Sequence, residues 1–220
     1  MVSDRIGYLR ITHFTETTVP DLDRALEQLA KKKMEALVID LRNNPGGLLK
    51  SAVGTVSRFI AEKRPVVSVE GRAEKKVGHN AVSCKKYLKL PVAILINGNS
   101  ASASEIVAAC LQDYKRAVLV GSRSFGKGSV QVILPLSDGG ALRMTTAKYY
   151  TPGRKEIHGK GVTPDITVNL SPMASVAVAQ HLALHTDKPP RIRENNYHDA
   201  QLERAVEILK GINIFRHSGQ

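Results

Sequence analysis

Three times along the chain a short strand-like run breaks into a turn-dense loop and then into a helical pattern. Arg5–Thr12 alternates apolar and polar residues, and Leu22, Ala25, Leu26 and Leu29 follow at helical spacing behind the start signals Thr17, Thr18 and Pro20. Ala36–Leu41 runs into Arg42-Asn43-Asn44-Pro45-Gly46-Gly47, and a helix is predicted over about 48–61. Pro91–Ile96 runs into Asn97–Ser102, and a helix is predicted over 103–113. Strand–loop–helix units in this order argue for a mainly parallel sheet. The fold class is therefore α/β.

The remaining segments fit around that sheet. Pro65–Val69 and Ala117–Val120 read as further strands, and Gly71–Lys89 as a basic loop or hairpin. Ser129–Leu136 and Ala141–Tyr149 alternate around Ser137-Asp138-Gly139-Gly140, a hairpin signal. Beyond Pro172 the style changes to two amphipathic helices, Ala174–His185 and His198–Gly211, joined by Lys188-Pro189-Pro190. The chain is read as a core over 1–170 and a C-terminal helical appendage over 171–220.

Composition narrows the function classes. The 220 residues are 42% hydrophobic and 24% charged, an ordinary globular balance. The apolar runs fall far short of the ~20 residues that a membrane-spanning helix needs. No Lys/Arg-led apolar segment with a small-residue cleavage site opens the sequence, so no signal peptide is expected within it. Cys84 and Cys110 cannot build a disulfide framework, and no C-x-x-C or H-E-x-x-H spacing suggests a metal. The net charge of +12 is concentrated before residue 171, and residues 63–89 hold eight Lys/Arg against Glu70 and Glu74. That stretch can meet an anionic membrane surface or simply face water. It lacks the interleaved aromatics of a nucleic-acid groove, so no specific nucleic-acid partner is expected.

Two loops can carry chemistry. Asn97-Gly98-Asn99-Ser100-Ala101-Ser102-Ala103-Ser104-Glu105 leaves a buried strand and starts a helix. Such a turn presents a side chain at the sheet edge and aims backbone N–H groups outward, which suits a serine nucleophile and an oxyanion. Any of the three serines can serve, and all three can equally be helix caps. Gly121-Ser122-Arg123-Ser124-Phe125-Gly126-Lys127-Gly128 nearly spells a P-loop. It lacks the final Ser/Thr and leads into a strand, where a P-loop must lead into a helix. Ser124-Phe125-Gly126-Lys127 also fits S-x-x-K, but glycines oppose the helix that signature needs. Lys127 between two glycines is instead a candidate base, since a buried lysine is readily neutral. No G-x-S-x-G elbow marks a Ser–His–Asp site, and His13 and His158 are read as surface or structural residues.

Taken in order, Asp40–Gly47, Asn99–Ile106, Phe125–Gln131, Leu142–Pro152 and Gly159–Ile166 resemble the C-terminal processing peptidases, or tail-specific proteases. The resemblance covers roughly residues 3–170. It implies a crotonase/Clp-protease-like spiral of ββα units and a serine endopeptidase that cuts proteins near their C termini. By motif it implies Ser102 as nucleophile, Lys127 as general base and Gln131 as the residue that orients that base. It implies an oxyanion hole from the Ala103 amide and an amide of Gly46 or Gly47. Asp113, where some members carry an important acid, is read as structural. No cofactor is implied; the partners are protein or peptide substrates held extended, and the setting is the bacterial periplasm or cell envelope.

The family's PDZ domain and leader are missing from this sequence, which therefore reads as an isolated catalytic core. The alternative reading is a catalytically silent core that acts as a binding or scaffold module. The peptidase reading carries a structural expectation: Lys127 should be buried beside Ser102, with Phe125, Val130 and Val132 as apolar cover.

Overall fold

The computed structural model describes residues 1–71, 76–184, 189–194 and 197–217. All three strand–loop–helix units form. β1 (Ile6–Arg10) leads to α1 (Thr18–Lys31), and β2 (Ala36–Asp40) to α2 (Leu49–Ser57). After β3 (Pro65–Gly71) and β4 (Val77–Asn80), β5 (Val92–Ile96) leads to α3 (Ala103–Asp113). β6 (Ala117–Gly121), β7 (Ser129–Pro135), β8 (Ala141–Tyr150) and β9 (Ile166–Thr167) follow. The chain continues through α4 (Pro172–Leu184), the two-residue strands β10 (Arg193–Glu194) and β11 (Tyr197–His198), and α5 (Ala200–His217).

β1-β2-β5-β6-β9 make one sheet, parallel at every pairing. β4-β3-β8-β7 make a second, antiparallel sheet with β7 at its free edge. β3 and β4 realise the hairpin reading of 71–89, with 72–75 outside the described residues. α2 is shorter than its sequence pattern. Past Ser57 the chain tightens into a turn, with the Phe59 amide on the Val56 carbonyl at 2.9 Å, and this drives Phe59 and Ile60 into the core.

Every residue of β2 and of β5 is buried because both faces of the parallel sheet are covered. Leu37, Ile39, Ile94 and Ile96 point to the side of α1, α2 and α3. Ala36, Val38, Ala93 and Leu95 point the other way and meet Leu202, Ala205, Val206 and Leu209 of α5. The segment beyond residue 170 therefore does not stand off from the core. α5 is the layer that closes the second face of the sheet, and the apolar side chains read as an appendage's own face are spent on β1, β2, β5 and β6.

Candidate active site

The loops that follow β2 and β5 meet at the C-terminal end of the parallel sheet, where ligands bind in open α/β folds. Ser102 is the N-cap of α3, half-buried, with φ 56° and ψ −114°. Positive φ is rare and strained for a non-glycine residue and persists only where the surroundings impose it. The two neighbouring serines are used up structurally. Ser100 Oγ donates to the Leu41 carbonyl at 2.8 Å, Ser104 Oγ donates to the Asn44 carbonyl at 3.0 Å, and both residues are fully buried. Of the three serines that the loop offers, only Ser102 keeps any exposure.

Gly46 lies against this turn, and Gly47 beside it packs on the Phe14 backbone. A Cβ on Gly46 would stand 2.8 Å from Ser102 Cβ and 3.0 Å from the Ala103 nitrogen, so only glycine lets the two backbones approach this closely. The Gly46 amide is already engaged, donating to Asn44 Oδ1 at 2.8 Å. The Gly47 amide has no acceptor among the described residues, because the bridge to Phe14 uses the Gly46 carbonyl and the Leu48 amide on either side of it. The Ala103 amide likewise has no acceptor among the described residues. Of the two glycines, Gly47 is thus the one whose amide has no acceptor among the described residues.

A residue that the sequence reading passed over joins the two loops. Glu105, fully buried on α3, accepts four hydrogen bonds. Its Oε2 takes the Ser102 amide at 2.9 Å and the Lys127 amide at 2.8 Å. Its Oε1 takes the Gly126 amide at 2.7 Å and the Ser124 hydroxyl. Ser124 Oγ also accepts the Val162 amide at 2.7 Å, tying in the closing segment 159–162. Ser-x-x-Glu is the sequence mark of a capping box, and that signal was present at Ser102-Ala103-Ser104-Glu105. The bonds to residues 124–127 had no local signal.

Lys127 lies in a cleft of about 750 Å³ with Arg10, Asn43, Pro45, Asn99, Ala101, Phe125 and Ala179. The expectation of a buried lysine fails. Lys127 is exposed, Phe125 is 67% exposed, and Val130 is only half-buried. The side chain of Val132 lies outside the described residues. No hydrogen bond links Lys127 Nζ to Ser102 Oγ. The cause is local: glycines on both sides and a backbone fixed by Glu105 leave the side chain directed into an open cleft. Gln131 is exposed on β7 and makes no hydrogen bond to Lys127. The structure brings the backbones of Ser102, Ala103, Gly46 and Lys127 together, with Gly47 next in the chain, but not the side chains of Lys127 and Gln131.

The other candidates resolve as structural. Gly128 leads straight into β7, and a Cβ there would meet the His158 nitrogen at 2.3 Å, so the near P-loop is a packing site. Asp113 accepts the Gly153 amide at 2.8 Å, Lys155 Nζ at 2.8 Å and the Thr151 hydroxyl. Burial would raise its carboxyl, but Lys155 and these two donors outweigh that and hold it below its ordinary value. Cys110 is buried, which pushes its thiol up and away from reactivity.

Residues 5–168 match the family described as peptidase family S41. The chain is 48% identical over 172 residues to a carboxy-terminal-processing protease of Bartonella bacilliformis, covering 76% of this chain and 39% of that protein. It is 35% identical over 210 residues to a carboxy-terminal processing protease of Bacillus subtilis, covering 95% and 42%. Among solved structures it is similar to a photosystem II D1 C-terminal processing protease, with a TM-score of 0.67 and 32% identity over 74% of this chain and 42% of that one. The chain thus spans about two fifths of the length of these relatives. The α/β architecture, a parallel sheet accompanied by an antiparallel one, is the crotonase/Clp type that the motifs implied. With its family match running over residues 5–168, from the start of β1 through β9, the chain belongs to peptidase family S41.

Proposed function

We propose that this chain is the catalytic core of a serine endopeptidase that cuts proteins near their C termini, with Ser102 as nucleophile and Lys127 as general base. The observation that carries this reading is the Glu105 carboxylate, which binds the Ser102 and Lys127 amides on one oxygen. A single buried group thereby sets the spacing of two loops that are otherwise far apart in sequence.

The chemistry follows from the groups at hand. A neutral Lys127 amine takes the Ser102 proton as the hydroxyl attacks the scissile carbonyl. The Ala103 and Gly47 amides, free of other acceptors, bind the oxyanion. The leaving amine departs with a proton, an acyl-enzyme remains on Ser102, and water hydrolyses it. Lysine has a flexible four-carbon stem, so a change of rotamer about its fixed backbone brings Nζ to Ser102. A peptide filling the cleft excludes water and favours that rotamer and the neutral amine; catalytic hydrogen bonds commonly tighten only with substrate bound. β7 leaves the lysine loop as a free sheet edge, on which an extended peptide can add a strand. Gln131 on that strand then lies beside the substrate and the lysine.

In the basic stretch 63–89, Lys76 pairs with Glu70, Lys85 with Glu27, Lys86 with backbone carbonyls, and Arg64 stacks on Tyr114. This favours an internally paired surface over a membrane contact. The periplasm or cell envelope remains the setting that this reading expects, checked by fractionation. The decisive experiment is labelling with a fluorophosphonate. The chain should take one label at Ser102, and Ser102→Ala should take none. An unlabelled but folded wild-type chain would instead support the silent scaffold.

A further inference from the structure

We propose that Asp199, at the start of α5, is a positioning residue for the active site: through Arg42 it holds the Asn43–Gly47 turn against the nucleophile loop. This deepens the peptidase reading and rests on it for its catalytic consequence.

Arg42 is 1% exposed, and all five of its side-chain N–H groups are satisfied inside the protein. Nε and Nη2 go to Asp40, with Nη2 at 2.6 Å. Nη1 and Nη2 go to the two oxygens of Asp199, each at 2.8 Å, and Nη1 also reaches Gln201 Oε1 at 3.2 Å. The guanidinium is therefore clamped by one carboxylate on each edge. One comes from its own strand and the other from a helix 157 residues away in sequence. Asp199 is itself held, accepting the Leu202 amide at 3.0 Å and the Tyr197 hydroxyl at 3.4 Å.

The residue after Arg42 begins the turn that faces Ser102. Asn43 has φ 58°; its amide donates to Asn97 Oδ1 at 2.9 Å, and its side-chain oxygen accepts from Nδ2 of Asn97 and of Asn99. Asn44 is fully buried; its carbonyl accepts the Ala101 amide at 2.9 Å and Ser104 Oγ at 3.0 Å. From Asp199 to Ala101, next to the nucleophile, every link is thus a hydrogen bond or a peptide bond. Asp40 alone grips one edge of the guanidinium and leaves it free to pivot about that edge. The second carboxylate removes the pivot, and with it a freedom that the strained Asn43 backbone would pass to Gly46 and Gly47.

The test compares two variants of the 220-residue chain. Asp199→Asn keeps the shape but turns an NH₂ toward Arg42, a donor facing donors. Leu209→Ala loosens the same helix from the sheet without touching Arg42. We expect Asp199→Asn to slow saturating fluorophosphonate labelling of Ser102 tenfold or more with unchanged reagent affinity. Amide exchange at Asn43, Asn44 and Ala101 should accelerate at least tenfold relative to the amides of β5. Leu209→Ala, with at least as large a fall in Tm, should label within twofold of wild type and show no selective exchange at those sites. Wild-type labelling by Asp199→Asn would overturn the proposal, as would slowing of both variants in proportion to their Tm losses. If the wild-type chain takes no label, the peptidase reading falls. The exchange comparison then decides by itself whether Asp199 holds the turn.

Discussion

At Ser102 the backbone is held in a region of φ, ψ that is unfavourable by about 1–3 kcal/mol for a residue with a side chain. Glu105 on one side and Gly46 on the other hold it there. Ser102→Ala should therefore remove hydrolysis and labelling while leaving Tm within a few degrees. Ser104→Ala should do the reverse, losing about 0.5–1.5 kcal/mol with its hydrogen bond to the Asn44 carbonyl, which keeps the Ala101 amide, while still taking the label. Chemical denaturation and labelling of the two variants, read side by side, check the assignment; a labelled Ser102→Ala sinks it. Lys127→Arg should be as damaging as Lys127→Ala, because a guanidinium keeps its proton. Peptide turnover near wild type in Lys127→Arg would leave that residue an electrostatic role only. Glu105→Gln replaces two acceptor oxygens with one and faces an NH₂ toward backbone donors, so both turnover and stability should fall, the latter by about 1–3 kcal/mol. The serine loop, the Lys127 loop and the paired glycines stood out because each is a local pattern, while the choice of Ser102 among the three serines came only with the family motif. Glu105 was passed over: its local mark is only that of a capping box, and its bonds to residues 124–127 depend on how two loops meet.

At the level of elements, the strand–loop–helix units were readable because a strand buried on both faces and a one-sided helix leave different periodicities. The parallel sheet was expected, but the division of the strands between two sheets was not, since pairing joins β3 to β8 and β6 to β9 across long gaps in sequence. The segment after β8 is held to the end of α3 by Asp113. This carboxyl titrates below its ordinary value in the folded chain, so its contribution is present above the unfolded value of about 3.9 and is lost as pH falls through the lower folded value. Asp113→Asn should accordingly lower Tm at pH 6, and the difference from wild type should close as pH falls below about 3.9. A Tm gap that persists unchanged into strong acid would show that shape, not charge, holds this segment. Glu156 and Lys148 pair across the same region at 2.7 Å on the surface, where screening leaves such contacts little weight.

For the whole molecule, the question is what residues 171–220 do. If α5 were separable, the chain ending at 170 would fold. Because α5 covers Ile6, Val38, Leu95 and Val120, that truncation should expose one entire face of the parallel sheet and yield an unfolded or aggregated product by circular dichroism and gel filtration. A soluble, cooperatively melting 1–170 fragment would restore the appendage. Within the intact chain, Leu209→Ala should cost about 2–5 kcal/mol, as expected for a fully buried leucine. The sequence by itself determined the α/β class, the order of the units, and the loops that hold Ser102 and Lys127. These are written in runs of neighbouring residues, where periodicity and turn chemistry act over a few bonds. Only the tertiary structure decided that Gly47 and not Gly46 has a free amide, that Lys127 faces an open cleft, and that α5 closes the sheet. Only it decided that Asp199 grips Arg42. These outcomes turn on which buried donors and acceptors find each other across distant parts of the chain. A buried polar group is unfavourable unless it is partnered, but its own sequence neighbourhood does not say by what.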